Sequence, residues 1–236
     1  MLENLASQTA LAEKIGQEST MLPWLVSRIQ QKESPVSQNK QYSAEILAIL
    51  LQSSTKNKTK FIDIEGVDVL LQLLSQYRKR DPAKDSDEEE YVENLFDCLI
   101  CVVDEDSGKN KFLEGEGVEL SQIMLKEGKF SKQRALRVLD HALSGLGGAP
   151  ACDRLVEIAG LKTVFGMFMK KVCSALCPRD ADWMLTPNSK KTKRQSTSSA
   201  SLPLFCASSL VVRRLASVPW PSSWKRITRR SKNWSS

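Results

Sequence analysis

Residues 60–67 read KFIDIEGV, residues 111–118 read KFLEGEGV, and residues 154–161 read RLVEIAGL. In each of these segments, which we name the glycine phrases, a large apolar residue stands five positions before a glycine and another directly after it. The three glycines, Gly66, Gly117 and Gly160, are 51 and 43 residues apart. A weaker copy without the glycine starts at Ile15, and its Thr20 lies 46 residues before Gly66. This recurrence predicts a protein built from stacked structural repeats.

Apolar residues with helical spacing lie on both sides of every phrase. After Gly66 they occupy positions 67, 70, 71 and 74, and after Gly160 they occupy positions 161, 164, 165 and 168. After Gly117 the stripe is weaker, because Ser121 and Gln122 stand where apolar residues are expected. Another apolar stripe precedes each phrase, within residues 46–51, 92–100 and 135–143. This spacing predicts amphipathic helices, and no strand-like alternation competes with it.

The predicted fold is all-α: an armadillo/HEAT-like α-solenoid of about three and a half repeats, because repeats of about 40–47 residues are typical of that class. It occupies residues 1–177, and the phrases are interpreted as short links between helices. One helix pair cannot bury its own apolar stripe, whereas stacked pairs cover one another. Solenoid ends need polar caps, and the apolar residues near Leu5 and Phe165 therefore predict some tendency to self-association.

The phrases and their surroundings resemble the armadillo-repeat group, and within it the nuclear, spliceosome-associated beta-catenin-like family. The resemblance covers residues 57–74, 104–118 and 134–169 and ends near Lys170. It implies an α-solenoid scaffold without catalytic residues or cofactor, located in the nucleus. It also implies membership of a pre-mRNA-splicing complex and binding of basic peptides, such as the localisation signals of partner proteins. Because the family is longer at both ends, we expect this chain to be an internal piece.

Charge is unevenly distributed along the chain. Residues 178–236 contain 12 lysines and arginines but only two acids, a net charge of +10, whereas residues 1–177 carry −4. The basic region is serine-rich, holds four of the five tryptophans and lacks helical periodicity. Its composition fits a disordered interaction tail, but it also fits a shifted reading frame, and both interpretations stay open.

One basic cluster in this tail is a candidate localisation signal, formed by Lys190, Lys191, Lys193 and Arg194. A run of solvated charges is the alternative interpretation. The bases and interleaved tryptophans would also suit RNA phosphates and bases, so a nucleic-acid-binding protein acting through the tail is the alternative function. The scaffold interpretation, which we favour, predicts protein partners and no direct RNA binding.

Polar positions beside the apolar stripes predict a partner-binding face. We assign it to the helices that follow Thr20 and the three glycines, taken as the last helices of their repeats and as the lining of the concave face. The candidate residues are Trp24, Arg28, Asp68, Gln72, Glu119, Gln122 and Lys162. Trp24 is either an anchor for the partner or a core residue. Since residues 1–177 are acidic overall, this surface should attract basic peptides.

Two further features have structural as well as functional interpretations. Ser86 precedes Asp87, Glu88 and Glu89, a pattern that predicts a helix cap and also a phosphorylation site for an acid-directed kinase. Cys98 and Cys101 lie on an apolar helix, which favours buried thiols over a zinc site with four converging ligands.

The remaining candidates for chemistry are weak. His141, the single histidine, lies on a repeat helix, and the glycines at 145–148 lack the Gly-Lys-Ser ending of a phosphate loop. We therefore predict no metal, no cofactor and no enzymatic activity. No apolar run approaches the roughly 18 residues of a membrane helix, and no secretory signal follows Met1, so no membrane partner is expected.

Overall fold

The computed structural model describes residues 8–167, and within that range every regular element is a helix. Each repeat contains a short, a middle and a long helix. The short helices are α1 (Thr9–Gln17), α4 (Thr55–Asp63), α7 (Asp106–Glu114) and α10 (Ala149–Glu157). The middle helices are α2 (Met21–Gln30), α5 (Gly66–Ser75) and α8 (Gly117–Glu127), and residues 160–167 are also helical. The long helices are α3 (Gln38–Ser53), α6 (Asp87–Val103) and α9 (Phe130–Ala142).

This architecture confirms the predicted all-α solenoid and corrects one detail of it. The glycine phrases are not links, because their first half forms the end of a short helix, as at Thr55–Asp63. Three helices per repeat is the armadillo number, whereas HEAT repeats have two. When each repeat is taken to begin with its short helix, the helix that follows the glycine is therefore the middle helix of the repeat and not the last.

A close approach of side chain to backbone explains the glycine phrase. The Phe61 ring lies directly against Gly66, so that a Cβ at this position would be 2.4 Å from the ring carbons. Phe112 covers Gly117 in the same way, with a corresponding distance of 2.3 Å. The residue before each glycine turns the chain sharply through a positive φ, which is 59° at Glu65. The phrase thus encodes one tight corner, in which an aromatic ring seals the junction between a short and a middle helix.

Helices of the same kind stack on one another from repeat to repeat. The long helices pack as α3 on α6 on α9, the middle helices as α2 on α5 on α8, and the short helices as α1 on α4 on α7 on α10. Their apolar faces meet in one continuous core that extends from Ala12 to Val164. Repeats also exchange polar contacts, since the buried Tyr91 hydroxyl donates a hydrogen bond to the Ile29 carbonyl at 2.8 Å.

Asn57 is a fully buried polar residue at the junction of three helices. Its Nδ2 donates to the carbonyl of Ala12 in α1 at 3.1 Å and to that of Leu50 in α3 at 3.0 Å. Its Oδ1 accepts a hydrogen bond from Gln17 Nε2 at 3.0 Å. Leu50 belongs to the last turn of α3, where carbonyl groups have no helical partner. Asn57 therefore ties the first repeat to the second and satisfies one of these carbonyls.

The first copy of the repeat has a different register from the one assigned by sequence. Helix α2 begins at Met21 and buries Leu22, Leu25, Val26 and Ile29. These positions match the buried Val67, Leu70, Leu71 and Leu74 of α5, which places Met21, not Thr20, opposite Gly66. The alignment on Thr20 was therefore wrong by one residue. Without a glycine in the first copy, the sequence contained no fixed point to set the register.

Candidate functional site

An open groove of about 660 Å³ lies between the middle helices α5 and α8 and is bordered by the end of α7. Leu71, Leu120 and Ile123 form its apolar part. Five carboxylates surround these apolar residues, those of Glu65, Asp68, Glu114, Glu116 and Glu119. We name this groove, with its apolar part and its carboxylates, the acidic groove. Arg78 is the single basic residue in its lining.

The repeat itself explains why these acids meet. Glu65 and Glu116 hold the same place in successive phrases, directly before the glycine, and both have a positive φ. Asp68 and Glu119 likewise hold the same place in the first turns of α5 and α8. Acidic residues are favoured near helix N-termini, where the helix dipole is positive. Stacking of the repeats then brings two equivalent pairs of carboxylates to one groove.

Several of these carboxylates lack a partner of opposite charge. Glu119 Oε1 pairs with Arg154 Nε at 2.5 Å, and Glu114 pairs with Lys111 at 2.9 Å. Within residues 8–167, no ion pair shorter than 4 Å involves Glu65, Asp68 or Glu116. The second oxygen of Glu119 is buried and has no hydrogen-bond partner among the described atoms. The groove therefore offers unsatisfied negative charge beside apolar surface.

The pKa values of nearby bases report the same negative potential. The hydrogen bond to Glu114 and its charge raise the pKa of Lys111, and Asp68 and Glu65 add smaller contributions in the same direction. Hydrogen bonds to Glu119 and Glu157 raise the pKa of Arg154. The positive charges of Lys111 and Arg154 are thus stabilised by two carboxylates of the groove, Glu114 and Glu119.

The acidic surface continues past α8 toward α10. A second depression of about 470 Å³ shares Glu114, Glu116 and Glu119 with the acidic groove and adds Asp153 and Glu157. Arg154 lines this second depression and pairs there with Glu119 and, at 3.0 Å, with Glu157. An elongated ligand can therefore follow the carboxylates from one repeat to the next.

The structure brings together some of the partner-binding residues chosen from the sequence. Asp68, Gln72 and Glu119 all line the acidic groove. Gln122 does not reach this surface, which corrects its assignment: it is buried and its Nε2 donates to the carbonyl of Ile158 at 2.9 Å. Gln122 occupies the core position that Leu71 occupies in α5, and the hydrogen bond makes a polar residue tolerable there.

The other predicted residues lie away from the groove. Arg28 is half-buried and pairs with Glu33 at 2.9 Å, and Lys162 is exposed on the helix of residues 160–167. The exposed fraction of Trp24 is 55%, which rules out the core interpretation of this residue. Sequence reasoning missed Glu65 and Glu116, although their shared place before the glycine was a signal that could have identified them.

A separate groove of about 360 Å³ lies along the long helices α3, α6 and α9. Ala48, Ile49 and Ile100 form its apolar part, Glu45 and Asp97 lie at its sides, and the half-buried Cys101 opens into it. Asp97 is partly neutralised by Arg137 at 3.9 Å. Burial is the main cause that raises the pKa of the Cys101 thiol, so the sulfur stays protonated at neutral pH. This groove is less charged than the acidic groove.

Ser86 caps α6 as the sequence predicts. Its Oγ accepts a hydrogen bond from the Glu89 amide at 3.3 Å and donates to the Ala83 carbonyl at 2.6 Å. Glu89 in turn accepts from the Asp85 amide at 2.7 Å. Phosphorylation of Ser86 stays a prediction. The basic cluster at Lys190 to Arg194 lies outside the described residues.

The remaining candidates for chemistry have structural neighbours. Cys98 is buried against the Ala44 carbonyl, and His141 Nδ1 lies 2.8 Å from Asp104. Between residues 8 and 167, no three histidine, cysteine or acidic side chains group closely enough to hold a metal ion. In the same range, no helix combines the length and apolar character that crossing a bilayer requires.

Three-helix repeats around one continuous core define this molecule as an α-solenoid of the armadillo class. The chain belongs to the catenin-beta-like, Arm-motif-containing nuclear family, whose sequence model matches residues 1–201. This confirms the family resemblance and the predicted nuclear location. The match extends past Lys170, so the family relationship reaches further along the chain than the resemblance predicts, and it includes the basic cluster at residues 190–194.

Curated relatives and solved structures agree with this membership. The chain is 43% identical over 171 residues to the beta-catenin-like protein 1 homolog of Schizosaccharomyces pombe, and 41% identical over 170 residues to human beta-catenin-like protein 1. Both alignments cover 72% of this chain, which spans only about 30% of the length of each relative. Two crystal structures of engineered proteins share the fold with a TM-score of 0.62 at 17% identity, over 92% of this chain and 42% or 70% of theirs.

Proposed function

We propose that this chain is a non-enzymatic interaction scaffold whose acidic groove binds basic, extended segments of partner proteins. The observation that carries the proposal is that Glu65, Asp68 and Glu116, which form no ion pair within 4 Å among residues 8–167, gather around an apolar surface. Lysine and arginine have long apolar stems below charged ends, so they fit a groove that offers both kinds of contact. Localisation signals of partner proteins have this composition.

Recognition in this groove is reversible and depends on two kinds of residue, apolar side chains and carboxylates. Leu71, Leu120 and Ile123 exclude water from the aliphatic stems of the bound segment. The carboxylates steer the approaching peptide and set its register, since electrostatic complementarity contributes mainly to specificity and association rate. Arg154 is already bound between Glu119 and Glu157, an arrangement that a partner's arginine can repeat at the neighbouring unpaired acids.

The biological setting that we propose is a pre-mRNA-splicing complex in the nucleus. Membership of the nuclear catenin-beta-like family supports it. A scaffold of this kind requires no metal or cofactor, because its task is to hold protein segments rather than to change them. Arg28 and Trp24 lie away from the acidic groove, so they are not part of the surface that we propose for basic peptides.

Charge reversal in the groove tests the proposal. The double variant Asp68→Lys/Glu116→Lys should weaken binding of a short peptide rich in lysine and arginine by at least about tenfold, which corresponds to ~1.4 kcal/mol. Fluorescence anisotropy with a labelled peptide measures the affinity, and the effect should shrink at high salt because exposed charges are screened.

The matched control changes the same net charge elsewhere. Glu18→Lys/Asp87→Lys alters two acids that do not line the groove, one at the end of α1 and one at the start of α6. We expect this variant to change the affinity less than about twofold, after allowance for long-range attraction. Equal losses in the two double variants, or no loss in the first, would refute binding at the acidic groove.

A further inference from the structure

We propose that the basic segment formed by Lys190, Lys191, Lys193 and Arg194 occupies the acidic groove of its own chain and competes there with partner peptides. This inference rests on the proposed function, because it assigns a competitor to the same groove. Its first support is the division of charge: residues 178–236 carry +10, whereas residues 1–177 carry −4. The two parts of the chain therefore attract each other at low and moderate salt.

The groove has the chemistry to receive this segment. Glu65, Asp68 and Glu116 have no ion-pair partner within 4 Å among residues 8–167, and the buried Oε2 of Glu119 accepts no hydrogen bond there. Four positive side chains within five residues can meet the carboxylates of Glu65, Asp68 and Glu116, while their stems cover Leu120 and Ile123. Charge-assisted hydrogen bonds of this kind are about twice as strong as neutral ones.

The length of the intervening chain permits the contact. Twenty-two residues, 168–189, separate the described structure from Lys190, and a chain of that length spans at most roughly 75 Å. The helix of residues 160–167 follows directly after Ile158, which α8 contacts through Gln122. The groove beside α8 and α5 is therefore about two interhelical spacings away, on the order of 20 Å. The segment can reach the groove with chain to spare.

Competition within one chain is effective even when the contact is weak. A tethered segment has an effective concentration in the millimolar range. If its intrinsic dissociation constant is on the order of 100 μM, occupancy of the groove lowers the apparent affinity for a partner peptide by about tenfold. Partners with strongly basic segments displace it, whereas weakly basic peptides are excluded, so the segment raises the selectivity of the groove.

Neutralising the segment in the full chain tests this inference. The variant Lys190→Gln/Lys191→Gln/Lys193→Gln/Arg194→Gln should bind the lysine- and arginine-rich peptide about five- to tenfold more tightly than the unaltered chain. The control Arg213→Gln/Arg214→Gln/Arg229→Gln/Arg230→Gln removes the same charge from the same region and should change the affinity less than about twofold. Equal gains in both variants would overturn the proposal, because they would report net charge alone.

Zero-length carbodiimide cross-linking supplies an independent readout, since it joins lysine amines to carboxylates in direct contact. We expect cross-links from Lys190, Lys191 or Lys193 to Glu65, Asp68 or Glu116, and mixing of isotope-labelled with unlabelled chain should place them within one molecule. Cross-links found only between molecules, or none to the groove, would overturn the proposal. If these results fail while Asp68→Lys/Glu116→Lys still weakens peptide binding, the proposed function stands and only the internal competitor is lost.

Discussion

Gly66→Ala is expected to lower the free energy of unfolding by about 3 kcal/mol, because overpacking a tight core site costs roughly 1–3 kcal/mol and sometimes more. The added methyl group would lie 2.4 Å from carbons of the Phe61 ring. That ring is fully buried, so it cannot move aside without disturbing the junction between α4 and α5. Chemical denaturation followed by circular dichroism measures the loss, and Gly117→Ala against Phe112 should behave alike.

A glycine in open space provides the control for this experiment. Gly166 lies on the helix of residues 160–167, and a Cβ added there meets nothing within 4 Å. Gly166→Ala should therefore leave stability unchanged or raise it by up to ~1 kcal/mol through helix propensity. Adding Phe61→Leu to Gly66→Ala should recover part of the loss, because the smaller side chain makes room for the methyl group. A cost below about 0.5 kcal/mol for Gly66→Ala would contradict this explanation of the phrase.

Asn57→Leu is expected to destabilise the protein by about 2–4 kcal/mol, although the two side chains have the same number of heavy atoms and the same branching. The variant leaves the buried carbonyls of Ala12 and Leu50 without the hydrogen bonds from Asn57, and each buried group left unpaired costs about 1–3 kcal/mol. Asn110→Leu changes an exposed asparagine on α7 and should stay within about 0.5 kcal/mol of the unaltered chain. Similar stabilities for the two variants would show that the contacts of Asn57 contribute little.

Asn57→Asp adds a dependence on pH with a predictable sign. The new carboxyl would face two carbonyl oxygens in a fully buried place, so its pKa in the folded state should lie above the ordinary value of about 3.9. The folded state then holds its proton more tightly than the unfolded state. Relative to the unaltered chain, the variant should be most stable below about pH 4 and lose stability as the pH rises toward the folded-state pKa. A stability difference that is constant with pH would contradict a buried carboxyl at this position.

Much of the fold could be predicted because the same sequence pattern occurs several times in a repeat protein. The apolar stripes after Gly66 and Gly160 identify helices, and their recurrence identifies a stack. The short helices were not predicted, because a nine-residue helix such as α4 places few apolar residues on its buried face. The register of α2 was missed for a related reason, since without a glycine its two possible alignments differ by a single residue.

The candidate site was predictable only in part. Asp68 and Glu119 were recognisable as polar positions beside apolar stripes, and the structure does place both in the acidic groove. Gln122 looked equivalent to them, but whether a polar side chain at the edge of a stripe faces solvent or core depends on its partner. Here the partner is the carbonyl of Ile158, 36 residues later in the chain, and no local sequence pattern predicts this contact.

The order of residues alone settled that the chain is helical, that its helices repeat, and which faces they bury, because burial of apolar stripes is the dominant favourable term and is visible as periodicity. The meeting of Glu65 with Glu116 across one groove, and of Asn57 with two neighbouring helices, was decided only by the stacking of the repeats. Charges 51 positions apart along the chain become neighbours when one repeat stacks on the next. This proximity follows from the tertiary structure and is not visible in the local sequence.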